Sequence, residues 1–187
     1  MNEFPGPGDR LAAVVHLVQR LSPRGGVGRT ALMKLLYLTQ VLEHQPFGYE
    51  FGLYTYGPYD AQVLEDLKLA DVLGAAEQRV EEYDFGRGYR ITAGAGAAAL
   101  LAATPLPAAS REALDRVVGD FGGRTARELE MIGTVVFLDR LAQRRGEHPT
   151  APELARRVHE VKPHLAETMI QTEIAALRSG QRLLSLT

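Results

Sequence analysis

Apolar residues recur at helical spacing near the start of the chain. Over residues 10–21 they fall every three or four positions, which predicts a helix that ends at a Ser-Pro pair. Thr30 is placed to cap a second helix that runs to about His44. Because apolar residues cover most of the circumference of this second helix, we expect it to be buried, with Leu35 and Leu36 in the core.

The pattern becomes extended and rich in tyrosine after the second helix. Residues 50–56 are predicted to form a strand. We expect Gly57-Pro58 to stop this strand, because proline rarely continues a ladder. Asp60 is then placed to cap a third helix over residues 60–72.

Two alternating segments follow the third helix. Residues 78–84 and 87–92 alternate around Gly86 and Gly88, which predicts a β-hairpin because glycine permits positive φ in the turn. A short, alanine-rich helix is predicted over residues 94–103.

The last part of the chain has only helical patterns. Residues 104–109 read as a connector. Ser110 is placed to cap the first of the helices that follow, and capping boxes at Thr125 and Thr150 start the second and third. These helices are predicted over residues 111–121, 126–144, 151–161 and 164–178.

The order helix–helix–strand–helix–hairpin is typical of a winged-helix module. We therefore predict a mainly α (α+β) fold with a winged-helix-like core, a small β-hairpin wing and C-terminal helices. The winged-helix-like domain is expected over residues 1–105. An all-helical C-terminal region, residues 106–187, is expected to pack on it.

The composition is that of a globular protein with an apolar core. Hydrophobic residues make up 45% of the chain, and there is no cysteine, which fits a reducing compartment. The first residues lack the basic and apolar regions of a signal peptide. No apolar run approaches the roughly 18 residues that span a bilayer. We therefore expect a cytoplasmic protein that does not associate with a membrane.

Residues 24–30, RGGVGRT, are similar to a deviant phosphate-binding loop in which arginine replaces both lysines. A phosphate loop needs a preceding buried strand, and here a helix precedes the glycines. The bulky guanidinium is also a poor substitute for the compact ammonium that contacts phosphates. We therefore interpret the segment as a turn between two helices.

No constellation of catalytic or metal-ligating residues stands out. The histidines show neither HxxxH nor HExxH spacing, and no serine or threonine has the sequence context of a nucleophile. Glu65 and Asp66 are adjacent, so they point in different directions on a helix, and we expect both in solvent. We therefore expect no catalytic residue, no bound metal and no cofactor.

The tyrosine-rich segment allows two interpretations. Its side chains can pack internally under helices, with their hydroxyls bonded locally. Alternatively, Tyr54, Tyr56 and Tyr59 line a surface that binds a partner protein, with Asp60 and Arg87 at its rim.

The charge pattern disfavours DNA as the partner. The third helix, which reads bases in winged-helix regulators, has four acidic side chains and one lysine over residues 60–71. The net charge is −2, and neither half of the chain has the positive excess that contacts with phosphates require.

Three segments carry a resemblance to a known family. Residues 29–40 resemble the K-L-x-K-L-x-Y-x-x-Q signature of the Panacea family, the SocA-like antitoxin domain, and its YwgA-like relatives. Residues 47–60 resemble the family's tract that ends in Y-G-P, and residues 124–138 resemble the second half of the YwgA-like proteins. The signature positions matched are Leu32, Lys34, Leu35, Tyr37 and Gln40.

The resemblance implies a helical protein around a winged-helix-like core, and for Panacea members an antitoxin that binds partner proteins. We therefore predict a non-catalytic protein–protein interaction module that neutralises a partner toxin. A winged-helix DNA-binding transcriptional regulator is the alternative, and an enzyme ranks third. A homodimer remains open.

Overall fold

The computed structural model describes residues 6–83 and 86–186 and is mainly helical. The helices are α1 (Pro7–Leu21), α2 (Arg29–Leu42), α3 (Ala61–Val72), α4 (Ala97–Ala103), α5 (Ala108–Phe121), α6 (Ala126–Arg144), α7 (Ala151–Val161) and α8 (Glu167–Ser179). The strands are β1 (Gly52–Tyr54), β2 (Gly57–Tyr59), β3 (Ala76–Tyr83) and β4 (Gly86–Ala93). They form two antiparallel pairs, β1–β2 and β3–β4. The predicted mainly α (α+β) fold is confirmed.

The winged-helix-like core consists of α1, α2, α3 and the wing β3–β4. The predicted hairpin over residues 78–92 is confirmed and lies against α3; Asp84 and Phe85 of that range lie outside the described residues. Gly86 has a positive φ of 134°, whereas Gly88 pairs with Glu81 inside the ladder. Val27, between α1 and α2, forms a bridge to Ile91 through two backbone hydrogen bonds, which ties the wing to the helices.

Polar caps define where several helices begin. The Asp60 carboxylate accepts a hydrogen bond from the Gln62 amide, as predicted for the start of α3. The predicted capping boxes at Thr125 and Thr150 are both present. The predicted cap at Thr30 is wrong, because the N-cap of α2 is Gly28, two residues earlier.

The predicted cap at Ser110 is also wrong. α5 begins at Ala108, directly after Pro107, so Ser110 lies within the first helical turn. Pro107 occupies the N-cap position with φ −50° and ψ 144°, three residues before the predicted cap. The Ser110 hydroxyl instead donates to Gln45 Oε1 at 3.1 Å.

The prediction of a single strand over residues 50–56 is wrong. The segment is a short hairpin in which Tyr54 pairs with Gly57 and Leu53 with Pro58. Gly57 has a φ of 83°, which lets the chain reverse, so Gly57-Pro58 starts the second strand instead of stopping the first. Pro58 is tolerated because a two-stranded ribbon consists only of edge strands.

One hydrophobic cluster runs through both halves of the chain. α2 lies at its centre and packs against α5 and α6, while α1 packs against α3 and α5. Leu35 and Leu36 are buried, which confirms their predicted place in the core. Within the described residues, no helix combines the length and apolar character needed to cross a bilayer.

Leu35→Ala should lower the free energy of unfolding by about 2–5 kcal/mol, because it removes a fully buried side chain from the centre of the cluster. Leu69→Ala on the exposed face of α3 is the matched control, and its effect should stay within about 0.5 kcal/mol. Urea denaturation of the three proteins measures both. Equal losses for the two variants would contradict the placement of α2.

Candidate functional site

The β1–β2 hairpin presents tyrosine side chains to solvent. Tyr54 is 67% exposed and Tyr56 is 64% exposed. Tyr59 is half-buried, and its ring centroid lies 5.6 Å from that of Tyr54. The interpretation that these side chains are all internal packing is therefore wrong for Tyr54 and Tyr56.

A groove of about 210 Å³ lies beside the tyrosines. It runs between the hairpin, the first half of α2 and the start of α3. Its lining is mostly aromatic and aliphatic, with cationic side chains from α2. The lining residues are Arg29, Thr30, Met33, Lys34, Tyr54, Tyr56, Gly57, Tyr59 and Leu64.

Two buried lysines hold the hairpin from beneath. Lys34, on α2, donates a hydrogen bond of 2.6 Å to the carbonyl oxygen of Pro58. Lys162, directly after α7, donates to the carbonyl oxygens of Tyr54, at 3.2 Å, and Thr55. Because both ammonium groups bind main-chain oxygens, these contacts hold the hairpin through its backbone and not through its side chains.

Glu130, on α6, supplies negative charge to these cations. Its Oε1 atom lies 3.0 Å from Lys162 Nζ and 3.4 Å from His164 Nε2. This oxygen accepts no well-aligned hydrogen bond from any described residue, so the attraction is electrostatic and not a directed bond. The residue is 6% exposed, so removing its cationic partner would leave a buried charge without compensation, which is costly.

Burial lowers the pKa of Lys34 to about 8. The negative charge of Glu130 raises this pKa, and the positive charge of Lys162 lowers it further. The side chain is 1% exposed, so desolvation outweighs the attraction to the single carboxylate.

Two of the predicted site residues do not line the groove. Asp60 uses its carboxylate to accept hydrogen bonds from the amides of Gln62 and Glu50, so it caps α3 and fixes the chain entering the hairpin. Arg87 lies on the wing and pairs with Glu82 at 3.2 Å, where both side chains are exposed. The structure therefore brings together the three tyrosines but not this pair.

Arg29 is a groove residue that the sequence prediction missed. Its guanidinium carbon lies 3.3 Å from the ring centroid of Tyr89 on the wing, which is a cation–π geometry. The same guanidinium donates two hydrogen bonds to Gln78 Oε1. The sequence did contain a signal for Arg29, because this residue directly follows the RGGVG segment and stands in the first turn of α2.

The RGGVGRT segment is a turn between α1 and α2, as predicted. Gly25 and Gly26 have positive φ values of 91° and 86°. A Cβ atom at Gly26 would lie 2.5 Å from the carbonyl oxygen of Ile91, so the glycine is required by the close approach of β4.

The expectation that Asp66 is solvated is wrong. Its carboxylate is buried between α1 and α3 and accepts hydrogen bonds from Arg10 Nε, Gln62 Nε2 and the Tyr49 hydroxyl. Burial, followed by the charge of Asp66, raises the pKa of Tyr49. Glu65, its neighbour, is exposed as expected. In the part of the chain that the structure describes, no three acidic or histidine side chains come together as a metal site.

The low pKa of Lys34 makes stability depend on pH in a defined window. Above pH 8 the folded protein holds Lys34 neutral, whereas the unfolded chain keeps it protonated up to about 10.5. The unfolded state then binds more protons, so the contribution of Lys34 to the free energy of unfolding rises with pH. Relative to Lys34→Met, the parent should gain up to about 1.4 kcal/mol per pH unit between about pH 8 and 10.

Urea denaturation of both proteins across this window measures the difference. Lys68→Met is the matched control, because Lys68 is exposed on α3 and should show no such trend. A difference between the parent and Lys34→Met that stays constant with pH would contradict a neutral Lys34 beneath the hairpin.

Comparisons with known proteins assign this chain to no family. No family model matches the chain, and no curated protein matches it at a significant level.

Proposed function

We propose that this protein is a non-catalytic interaction module that binds another protein through the tyrosine hairpin, and that the partner is a toxin that it neutralises. The observation that carries this proposal is the exposure of Tyr54 and Tyr56 on a main chain that buried lysines hold in place. Burying these rings against a partner would remove large apolar areas from water.

A fixed hairpin suits tyrosine as a contact residue. Tyrosine offers a broad, rigid ring with a polar tip, and it is enriched among the residues that dominate protein interfaces. Because the hairpin carbonyls are bonded to Lys34 and Lys162, little main-chain freedom is lost on binding. The exposed rings are therefore pre-organised for a protein surface.

The groove supplies a complementary feature. An apolar side chain of the partner fits between Met33, Leu64 and the tyrosines. Arg29 lies at the same groove with its guanidinium fixed over Tyr89, where it can orient an acidic or carbonyl group of the partner. We therefore place Arg29 in the contact set, where Asp60 and Arg87 were first expected.

The toxin partner rests on the resemblance to the Panacea family. Of the signature positions, Lys34 bonds to the hairpin, and Gln40 bonds to the main chain of Phe47 and Tyr49 just before it. Leu35 lies in the core beneath them. Two of the five signature residues, Lys34 and Gln40, thus hold the segment that carries the proposed binding surface.

DNA binding is the second candidate, because the element order and the wing favour it. The charge distribution on the wing, however, favours a protein partner over DNA. Each wing arginine pairs with a glutamate on the same hairpin; the pairs are Arg79–Glu77, Arg87–Glu82 and Arg90–Glu81. To reach these arginines, the phosphates of DNA would have to displace the glutamates. Binding would then release fewer counterions, and the gain in affinity from counterion release would be smaller.

The product of the adjacent gene is the first partner to test. Its expression alone should arrest bacterial growth, and co-expression with this protein should restore it. In calorimetry with the purified pair, Tyr54→Ala and Tyr56→Ala should each weaken binding about fivefold or more, or about 1 kcal/mol. Both variants should unfold within about 0.5 kcal/mol of the parent, because the side chains are exposed.

Met169→Ala, on the exposed surface of α8, is the control and should bind like the parent. A neighbour that neither arrests growth nor binds would contradict the toxin assignment, and binding that the tyrosine variants leave unchanged would contradict the surface. Titration of labelled duplex DNA near 0.15 M salt tests the second candidate. Sequence-specific nanomolar binding would favour the regulator instead.

A further inference from the structure

A second and larger pocket lies towards the C-terminal end of α2, separate from the tyrosine groove. Its volume is about 410 Å³, which is within the range of small-ligand sites. One wall is aromatic. The ring centroid of Tyr37 lies 5.2 Å from that of Phe51 and 6.3 Å from that of Phe137, and all three residues line the pocket. The Tyr37 and Phe51 rings are inclined by 74° and those of Tyr37 and Phe137 by 39°, so the wall offers aromatic faces and edges against which a planar ring can pack.

The pocket also has cationic lining residues, which follow Phe137 along α6. Arg140 and Arg144 are four residues apart on α6, so they project from the same face of the helix. Arg140 is already engaged, because it pairs with the buried carboxylate of Asp139 and donates to the carbonyl oxygen of Arg182. Arg144 makes no ion pair with any described residue, and no lining residue is acidic. The exposed guanidinium of Arg144 can therefore pair with an anion that enters the pocket.

Tyr37 brings a hydroxyl to this pocket that bonds to no other described side chain. The residue is 3% exposed, and its hydroxyl has no hydrogen-bond partner among the described residues. The oxygen is not fully enclosed by protein, so the small exposed part of Tyr37 includes it. Burial raises the pKa of Tyr37, which keeps the hydroxyl protonated as a donor. The hydroxyl can therefore donate a hydrogen bond to an acceptor that enters the pocket.

We propose that this pocket binds a small organic anion that has a planar ring. The ring lies against the Phe51 and Phe137 side chains, and the anionic group accepts hydrogen bonds from the Arg144 guanidinium and the Tyr37 hydroxyl. Carboxylate and phosphate share this chemistry, since both accept the forked donors of arginine. The pocket volume matches a molecule of the size of a mononucleotide or a smaller aromatic acid.

Calorimetric titration of the full chain tests the proposal with defined probes. AMP and GMP represent aromatic phosphates, and benzoate and indole-3-acetate represent aromatic carboxylates. Adenosine and benzamide supply the rings without the charge, and inorganic phosphate supplies the charge without a ring. At least one aromatic anion should bind with a dissociation constant below about 1 mM, or about −4 kcal/mol. Its uncharged counterpart should bind at least tenfold more weakly. Whether the aromatic phosphates or the aromatic carboxylates bind identifies the anionic group that the pocket prefers.

Two variants connect binding to the pocket. Arg144→Gln should weaken binding at least tenfold, and Tyr37→Phe, which removes only the hydroxyl, should weaken it severalfold without changing the thermal melt. Arg145→Gln is the matched control, because Arg145 is the next residue along the chain and does not line the pocket. The proposal is overturned if no aromatic anion binds at millimolar concentration, if inorganic phosphate binds as tightly as AMP, or if Arg144→Gln binds like the parent.

Discussion

The position of the β1–β2 hairpin depends on two ammonium groups buried beneath it. Lys34 and Lys162 reach the main-chain oxygens of the hairpin from different helical regions, and Glu130 lies against them with the opposite charge. Burying a lysine is unfavourable unless its proton donors and its charge are both matched. The hairpin carbonyls supply acceptors for both lysines and Glu130 supplies part of the opposing charge, so these contacts favour the geometry that leaves Tyr54 and Tyr56 in solvent.

The same helix shapes both proposed binding surfaces. Along α2, Arg29, Met33 and Lys34 face the tyrosine groove, and Tyr37, one turn further on, faces the aromatic pocket. The leucines between them lie in the core and fix the rotation of the helix. A change in the packing of α2 would therefore disturb the hairpin and the pocket together.

Sequence patterns predicted the helices, the wing and three of the caps, because those features depend on residues within a few positions of each other. They failed where a distant partner decides the outcome. Lys34 and Asp66 belong to residue types that are normally solvated, yet each is buried because another segment supplies its hydrogen bonds. Lys162 and the hairpin carbonyl of Thr55 are 107 positions apart, so no local pattern could have paired them.

Amide hydrogen exchange of Lys162→Met tests most directly whether the buried cations hold the hairpin. Loss of the ammonium removes the donor to the carbonyls of Tyr54 and Thr55 and leaves Glu130 with less compensating charge. Amides of residues 52–59 should therefore exchange faster than in the parent, while those of the wing strands β3 and β4 keep their protection. Unchanged exchange in the hairpin, or equal acceleration in hairpin and wing, would contradict the account.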